Sequence, residues 1–247
     1  CLQIAYGVAN IIKGNKGLVS INSLETPGYR LALRLAYMVC GINSIEAEMG
    51  NLSKNDYARL NEQLDYVDTL PIVFNDNPDI TTEEFVVHAT LQGIVSKRVL
   101  GISDYIELFN DKGDNEELRI SNAVRNIRRV CWKTGSCEII ITQFNNTVLN
   151  TAHKIGGMMR SRYSGAIGHA ADWFLEVWNP VQMKKSNIQF TLPEGKQDDR
   201  SYIFVEKNKD FPLGEVPFEW IPEYMRFKDM SLPMDELYNF NVSEDEF

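Results

Sequence analysis

Apolar side chains recur along this chain at two periods, and the alternation between them predicts its elements. Leu2, Ile4, Ala5, Val8, Ile11 and Ile12 fall at helical spacing and predict a helix over 1–13, with a turn from Gly14 to Gly17. Residues 18–23 alternate apolar and polar and read as a strand. Leu31, Leu33, Leu35, Ala36, Met38 and Val39 then predict a helix over 28–41. Residues 44–66 are polar and helical in character, with a helix start at Ser53-Lys54-Asn55-Asp56. A strand at 71–74 and a turn at 75–79 precede Thr81-Thr82-Glu83-Glu84, which begins a helix with capping-box character. Residues 99–104 read as a strand ending on an acid, and 115–132 as a basic amphipathic helix. Residues 138–143 are nearly continuously apolar, as a strand buried on both faces should be. A polar, glycine-bearing loop to Ser164 and a strand at 171–177 follow. Short strands fill 186–220, clearest at 189–191 and 202–205, and a tail starts near 229. Strands alternating with helices predict an α/β fold: a mostly parallel sheet covered on both faces, with β-hairpins towards the carboxyl end.

Composition narrows the class. The 247 residues suffice for one large α/β domain, and 44% hydrophobic with 24% charged residues is ordinary for a globular protein. No apolar run reaches the length of a membrane span. Cys1, Cys40, Cys131 and Cys137 have no metal-site spacing, which fits a reducing cytoplasm; His88, His153 and His169 form no ligand cluster. A net charge of -9 argues against a protein that coats nucleic acid over its whole surface. The charge is uneven, however. Residues 235–247 hold five acids and no Lys or Arg, whereas Arg119, Arg125, Arg128, Arg129, Lys133, Lys154, Arg160 and Arg162 make the middle basic. The chain opens on Cys1, inside a helical pattern and without Met, and is expected to belong to a longer protein.

Five segments carry chemistry. Ser23-Leu24-Glu25 ends a strand on a carboxylate and turns through Thr26-Pro27-Gly28 into a helix. That is how α/β enzymes present an acid at the sheet's carboxyl edge, although helix amino ends also attract Glu for dipole reasons. Asp104-Tyr105-Ile106-Glu107-Leu108 puts a second acid at a strand end, where it can hold a magnesium-bound water beside phosphates or simply cap a helix. Gln143 follows the apolar run 138–142, as a sensing residue or as the first solvated one. Arg162-Tyr163-Ser164-Gly165-Ala166-Ile167-Gly168-His169-Ala170-Ala171-Asp172 offers a guanidinium fork, and glycine lets a backbone amide approach closely. Lys207-Asn208-Lys209 near Gly214 reads as a hairpin lysine pair.

Taken together and in this order, the segments resemble the DnaB-like ring helicases, hexameric replicative helicases of the RecA-like ATPase class. The resemblance covers roughly residues 1–220. It implies Glu25 as the general base that activates water against ATP, Asp104 as the magnesium-associated acid and Arg34 as an arginine near the nucleotide. Gln143 feels the γ-phosphate, and Arg162, Tyr163, Ser164 and Gly165 meet single-stranded DNA. His169, where the family usually has Gln, is a phosphate donor. Lys207 and Lys209 reach the neighbouring subunit's ATP, Lys209 standing in place of a finger arginine. Asn146 replaces another family arginine, Ser103 an apolar residue and Gly168 a Glu; these departures suggest a divergent, phage-type member.

The resemblance further implies ATP and Mg2+ as cofactors, a homo-hexamer, single-stranded DNA as partner and the cytoplasm, or a host's, as location. Residues 1–228 form the motor domain and 229–247 an acidic tail. The family's Gly-Lys-Thr phosphate loop is expected two or three residues before Cys1, so these 247 residues alone are expected not to hydrolyse ATP. The tail either solubilises or docks replisome proteins such as polymerase and primase, with Phe247 as an apolar anchor. Two other readings stay open: a RecA-like scaffold without hydrolysis, and a recombinase-type RecA-like ATPase.

Overall fold

The computed structural model describes residues 1–113, 115–143, 164–185 and 200–230. Helix α1 (Leu2–Ile12) leads into β1 (Leu18–Ser23), α2 (Gly28–Cys40), α3 (Ser44–Glu48), α4 (Lys54–Asp68), β2 (Ile72–Asn75), α5 (Thr82–Ser96) and β3 (Arg98–Asp104). Then come α6 (Glu116–Thr134), β4 (Cys137–Ile140), α7 (Ser164–Ala170), β5 (Trp173–Trp178), α8 (Pro180–Lys185), β6 (Ser201–Asn208), β7 (Gly214–Ile221) and β8 (Arg226–Asp229).

The first four strands form a parallel sheet in the order β2-β1-β3-β4, and β5 to β8 form a second, antiparallel sheet in sequence order. Each parallel step needs a crossover, and the helices between strands supply it. One face of the parallel sheet packs Val19, Ile21, Leu100 and Ile102 against α1, α2 and α4. On the other face α5 and α6 bury Phe85, Ala89, Ile127 and Val130 in a cluster that includes Ile167 of α7 and Phe174 of β5. The α/β expectation, with helices on both faces and hairpins behind, describes this arrangement.

The helix starts follow their local chemistry. Ser53 accepts from the Asp56 N–H, and Thr81 and Glu84 close a reciprocal capping box. The polar stretch 44–66 is two helices rather than one, because Gly50 adopts a left-handed φ of 75° between them.

Three expectations need correction. The strand predicted at 138–143 is β4, Cys137–Ile140, and is only half-buried, because among the described residues β4 pairs with β3 alone and is an edge. The strand predicted at 171–177 begins at Trp173, and Ser164–Ala170, read as the end of a loop, is helical. Its Ile167 is buried in the cluster with α6, a partner far off in sequence. Finally, β8 continues the second sheet past the strands expected over 186–220; the expected strand at 189–191 lies outside the described residues.

The buried polar residues of β3 explain a departure noted in the sequence. The register shifts between Leu18 and Val19, so Val99 is an extra residue opposite β1. Arg98, fully buried, ion-pairs with Glu138 and donates to Ser136 Oγ at 3.2 Å. Ser103 donates to the other Glu138 oxygen at 2.8 Å, so the hydroxyl where an apolar residue was expected serves a buried carboxylate. The second sheet is tied to the first face: Gln3 exchanges two hydrogen bonds with the Phe227 backbone, at 2.9 and 3.1 Å, and Arg226 donates to the Met38 carbonyl. The far side of the second sheet exposes Trp173, Leu175, Val177 and Val216. No helix among the described residues is long and apolar enough to cross a membrane.

Candidate active site

Parallel register brings the two acids together. Ser23 pairs with Asp104 across β1 and β3, and the Leu24 N–H donates to the Asp104 carbonyl at 3.0 Å. Glu25 therefore leaves β1 beside the end of β3, exposed, while Asp104 is half-buried. The turn between Glu25 and α2 is pinned by the Thr26 N–H on Ser23 Oγ at 3.3 Å. Helix α2 starts against β2: the Gly28 N–H donates to Asp76 Oδ2 at 2.8 Å. A Cβ at Gly28 would lie 3.0 Å from Phe74 Cβ, so glycine permits the close approach.

Electrostatics tie these groups into one site. Burial pushes the Asp104 carboxyl above the ordinary carboxylate range, and the charge of Glu25 pushes it further. The positive amino end of α1 and the Arg34 guanidinium pull the other way. Two acids, an arginine and a helix amino end thus converge at the carboxyl edge of a parallel sheet, where a phosphate-bearing ligand is favoured. The Asp104–Tyr105 peptide bond is cis.

The strand ends are laced to β4. Ile141 bonds through its backbone to Ser103 and to Ile106, each at 3.0 Å. Glu107, in the short 3-10 turn after Asp104, accepts from the Thr142 hydroxyl at 2.5 Å and from the Gln143 N–H at 3.4 Å. Gln143 is thereby held by the segment that carries Asp104.

Comparison with known proteins decides the family. The family described as DnaB-like helicase C terminal domain matches residues 1–229. The chain belongs to that family. The replicative DNA helicase DnaB of Geobacillus stearothermophilus is 24% identical over 240 residues, covering 95% of this chain and 50% of that protein. The chain spans about half the length of the curated relatives it matches. Among solved structures, an isolated ATPase domain superposes with a TM-score of 0.76 at 18% identity, over 93% of this chain and 81% of its own. A DnaB-like replicative helicase, solved for its interactions with primase, gives 0.75 at 19% identity, over 92% and 54%. The fold is the RecA-like α/β fold of these neighbours.

In this DnaB-like domain the remaining predicted residues gather at the junction of α7 and β5. Lys207 donates to the Gly168 carbonyl at 2.7 Å and to that of His169 at 3.4 Å. Lys209 forms an ion pair with Asp172. His169 and Gly165 are exposed on α7. Arg162 and Tyr163 lie outside the described residues, as does the side chain of Ser164, although its backbone begins α7. Two residues given no role in the sequence reading belong to the site. Asp76 sat in an evident turn, but nothing local signals that it caps a helix 48 residues away. Asp172 closed a quoted motif without a partner, because its lysine comes from a strand 37 residues on.

Proposed function

We propose that the intact protein carrying this domain is an ATP-dependent replicative DNA helicase that moves along single-stranded DNA as a homo-hexameric ring. The observation that carries the reading is the meeting of exposed Glu25 with half-buried Asp104 at one sheet edge. In this reading Glu25 takes a proton from the attacking water, whose oxygen bonds to the γ-phosphorus of ATP. The bond to the β–γ bridging oxygen breaks, and ADP and phosphate leave. Arg34 offsets the negative charge gathered there.

Magnesium fits Asp104. It is a hard cation that takes one or two carboxylates plus substrate phosphates rather than a protein cage. Among the described residues no group of three or more His, Cys, Asp and Glu side chains is placed to hold a metal. A carboxylate whose ionisation is opposed by burial and by Glu25 is relieved by a nearby cation. When bound with ATP, magnesium supplies charge neutralisation at the phosphates.

Gln143 reports the γ-phosphate to the DNA segment that follows it. Arg162, Tyr163, Ser164 and Gly165 contact the single-stranded backbone, with His169 as a further phosphate donor, so binding is sequence-independent. Lys207 and Lys209 serve the ATP of the neighbouring subunit. Primase or polymerase would engage the acidic segment 235–247, which lies outside the described residues.

Asp104→Asn in the intact protein tests the reading. The magnesium concentration for half-maximal nucleotide binding should rise about 10–100-fold. A magnesium titration superimposable on the wild type would remove Asp104 from the site.

A further inference from the structure

The carboxyl end of α7 is gripped by three cations from two other elements. Lys207 holds the Gly168 and His169 carbonyls, and Arg128 of α6 donates to the Ala170 carbonyl at 3.1 Å. Asp172 receives Lys209 directly and has Arg128 at 4.0 Å. The hydrogen bond from Lys209, then the charges of Lys209, Arg128 and Lys207, hold the Asp172 carboxyl below the ordinary range. An oxyanion ringed by lysine and arginine is the environment a phosphate oxygen would seek. Here the chain's own carboxylate occupies it.

We propose that Asp172 is a positioning residue that parks Lys209 on the α7–β5 junction, and that ATP of the neighbouring subunit competes with it for the lysine pair. This rests on the reading that Lys207 and Lys209 act on a neighbour's nucleotide. The exchange is physically easy. The Asp172 and Lys209 side chains are 62% and 44% exposed, so the pair is a weak one. An ammonium is a compact point charge on a flexible stem and changes partner without losing bidentate geometry. When Lys209 leaves, Arg128 remains beside Asp172, and the carboxylate keeps a counter-charge. When Lys207 leaves, the Gly168 and His169 carbonyls lose their donor, and the end of α7 is released. The same helix begins at Ser164 and Gly165, assigned above to DNA. Nucleotide in one subunit would thus loosen the DNA-facing helix of the next.

Steady-state ATPase of the intact protein, with and without single-stranded DNA, tests this with three variants. Asp172→Asn removes the competitor and should lower KM for ATP about two- to fivefold, the most an exposed ion pair supplies, with kcat within about twofold. Asp172→Glu keeps the charge and should behave as the wild type. Lys209→Ala should lose turnover by more than about tenfold. An unchanged or raised KM in Asp172→Asn, or Asp172→Glu behaving like Asp172→Asn, overturns the latch. If Lys209→Ala keeps wild-type turnover, the trans-acting role of the lysine fails instead, whatever Asp172 does. The two failures are therefore distinguishable.

Discussion

A Cβ at Gly101 would overlap the Arg98 guanidinium and the Glu138 carboxylate, so the buried ion pair of β3 and β4 exists only because position 101 has no side chain. Gly101→Ala should cost at least about 3 kcal/mol in denaturant unfolding, since it breaks a buried pair rather than trimming a surface one. A loss below about 1 kcal/mol would mean that the pair relaxes freely. Asp104 makes the opposite kind of prediction. Its folded-state carboxyl titrates above the ordinary value, chiefly through burial. As pH rises, the unfolded chain therefore releases this proton first, and stability falls between the ordinary carboxylate value and the raised one, then levels. Without magnesium, Asp104→Asn should flatten that part of the profile and raise the melting temperature at neutral pH. An unaltered pH profile would show that the strand-end carboxylate is not strained by its surroundings.

The 3-10 turn Ile106–Leu108 and the exit of β4 act as one strap, because Glu107 binds both Thr142 and Gln143. If the strap relays nucleotide state to DNA, Glu107→Ala should keep basal ATPase within about threefold and reduce its DNA stimulation about tenfold, the lower range of a lost charged hydrogen bond. Equal loss of basal and stimulated rates would make Glu107 a plain structural support. How much was legible in the sequence follows from where each element finds its partners. The alternation of 18–23 and the helical run from Leu31 need only local pattern, and β1 and α2 sit where it puts them. The edge position of β4 and the helicity of Ser164–Ala170 depend on contacts with residues far along the chain. A small-residue run such as Ser-Gly-Ala-Ile-Gly reads as a turn until Ile167 is buried beside α6 and Lys207 and Arg128 hold its carbonyls. The site was legible in the same measure. Each strand ends on its acid by local signal, but the Asp76 cap and the Asp172 ion pair come from the tertiary fold.

At the scale of the whole molecule, a net charge of -9 leaves single-stranded DNA only a local basic path. Arg162→Ala should weaken binding about equally for all sequences and reduce the salt slope by about one unit. A changed sequence preference with an unaltered slope would place Arg162 away from the phosphates. The central claim is that the parallel register, by setting Glu25 beside Asp104, builds the hydrolytic centre of a DNA-driven motor. DNA-stimulated ATP turnover by the intact protein with Glu25→Gln, measured alongside nucleotide binding, tests it most directly. The account predicts turnover lower by about 10²–10⁴-fold, the usual contribution of a general base, with ATP affinity within about threefold of wild type. Turnover reduced by less than about fivefold would contradict it.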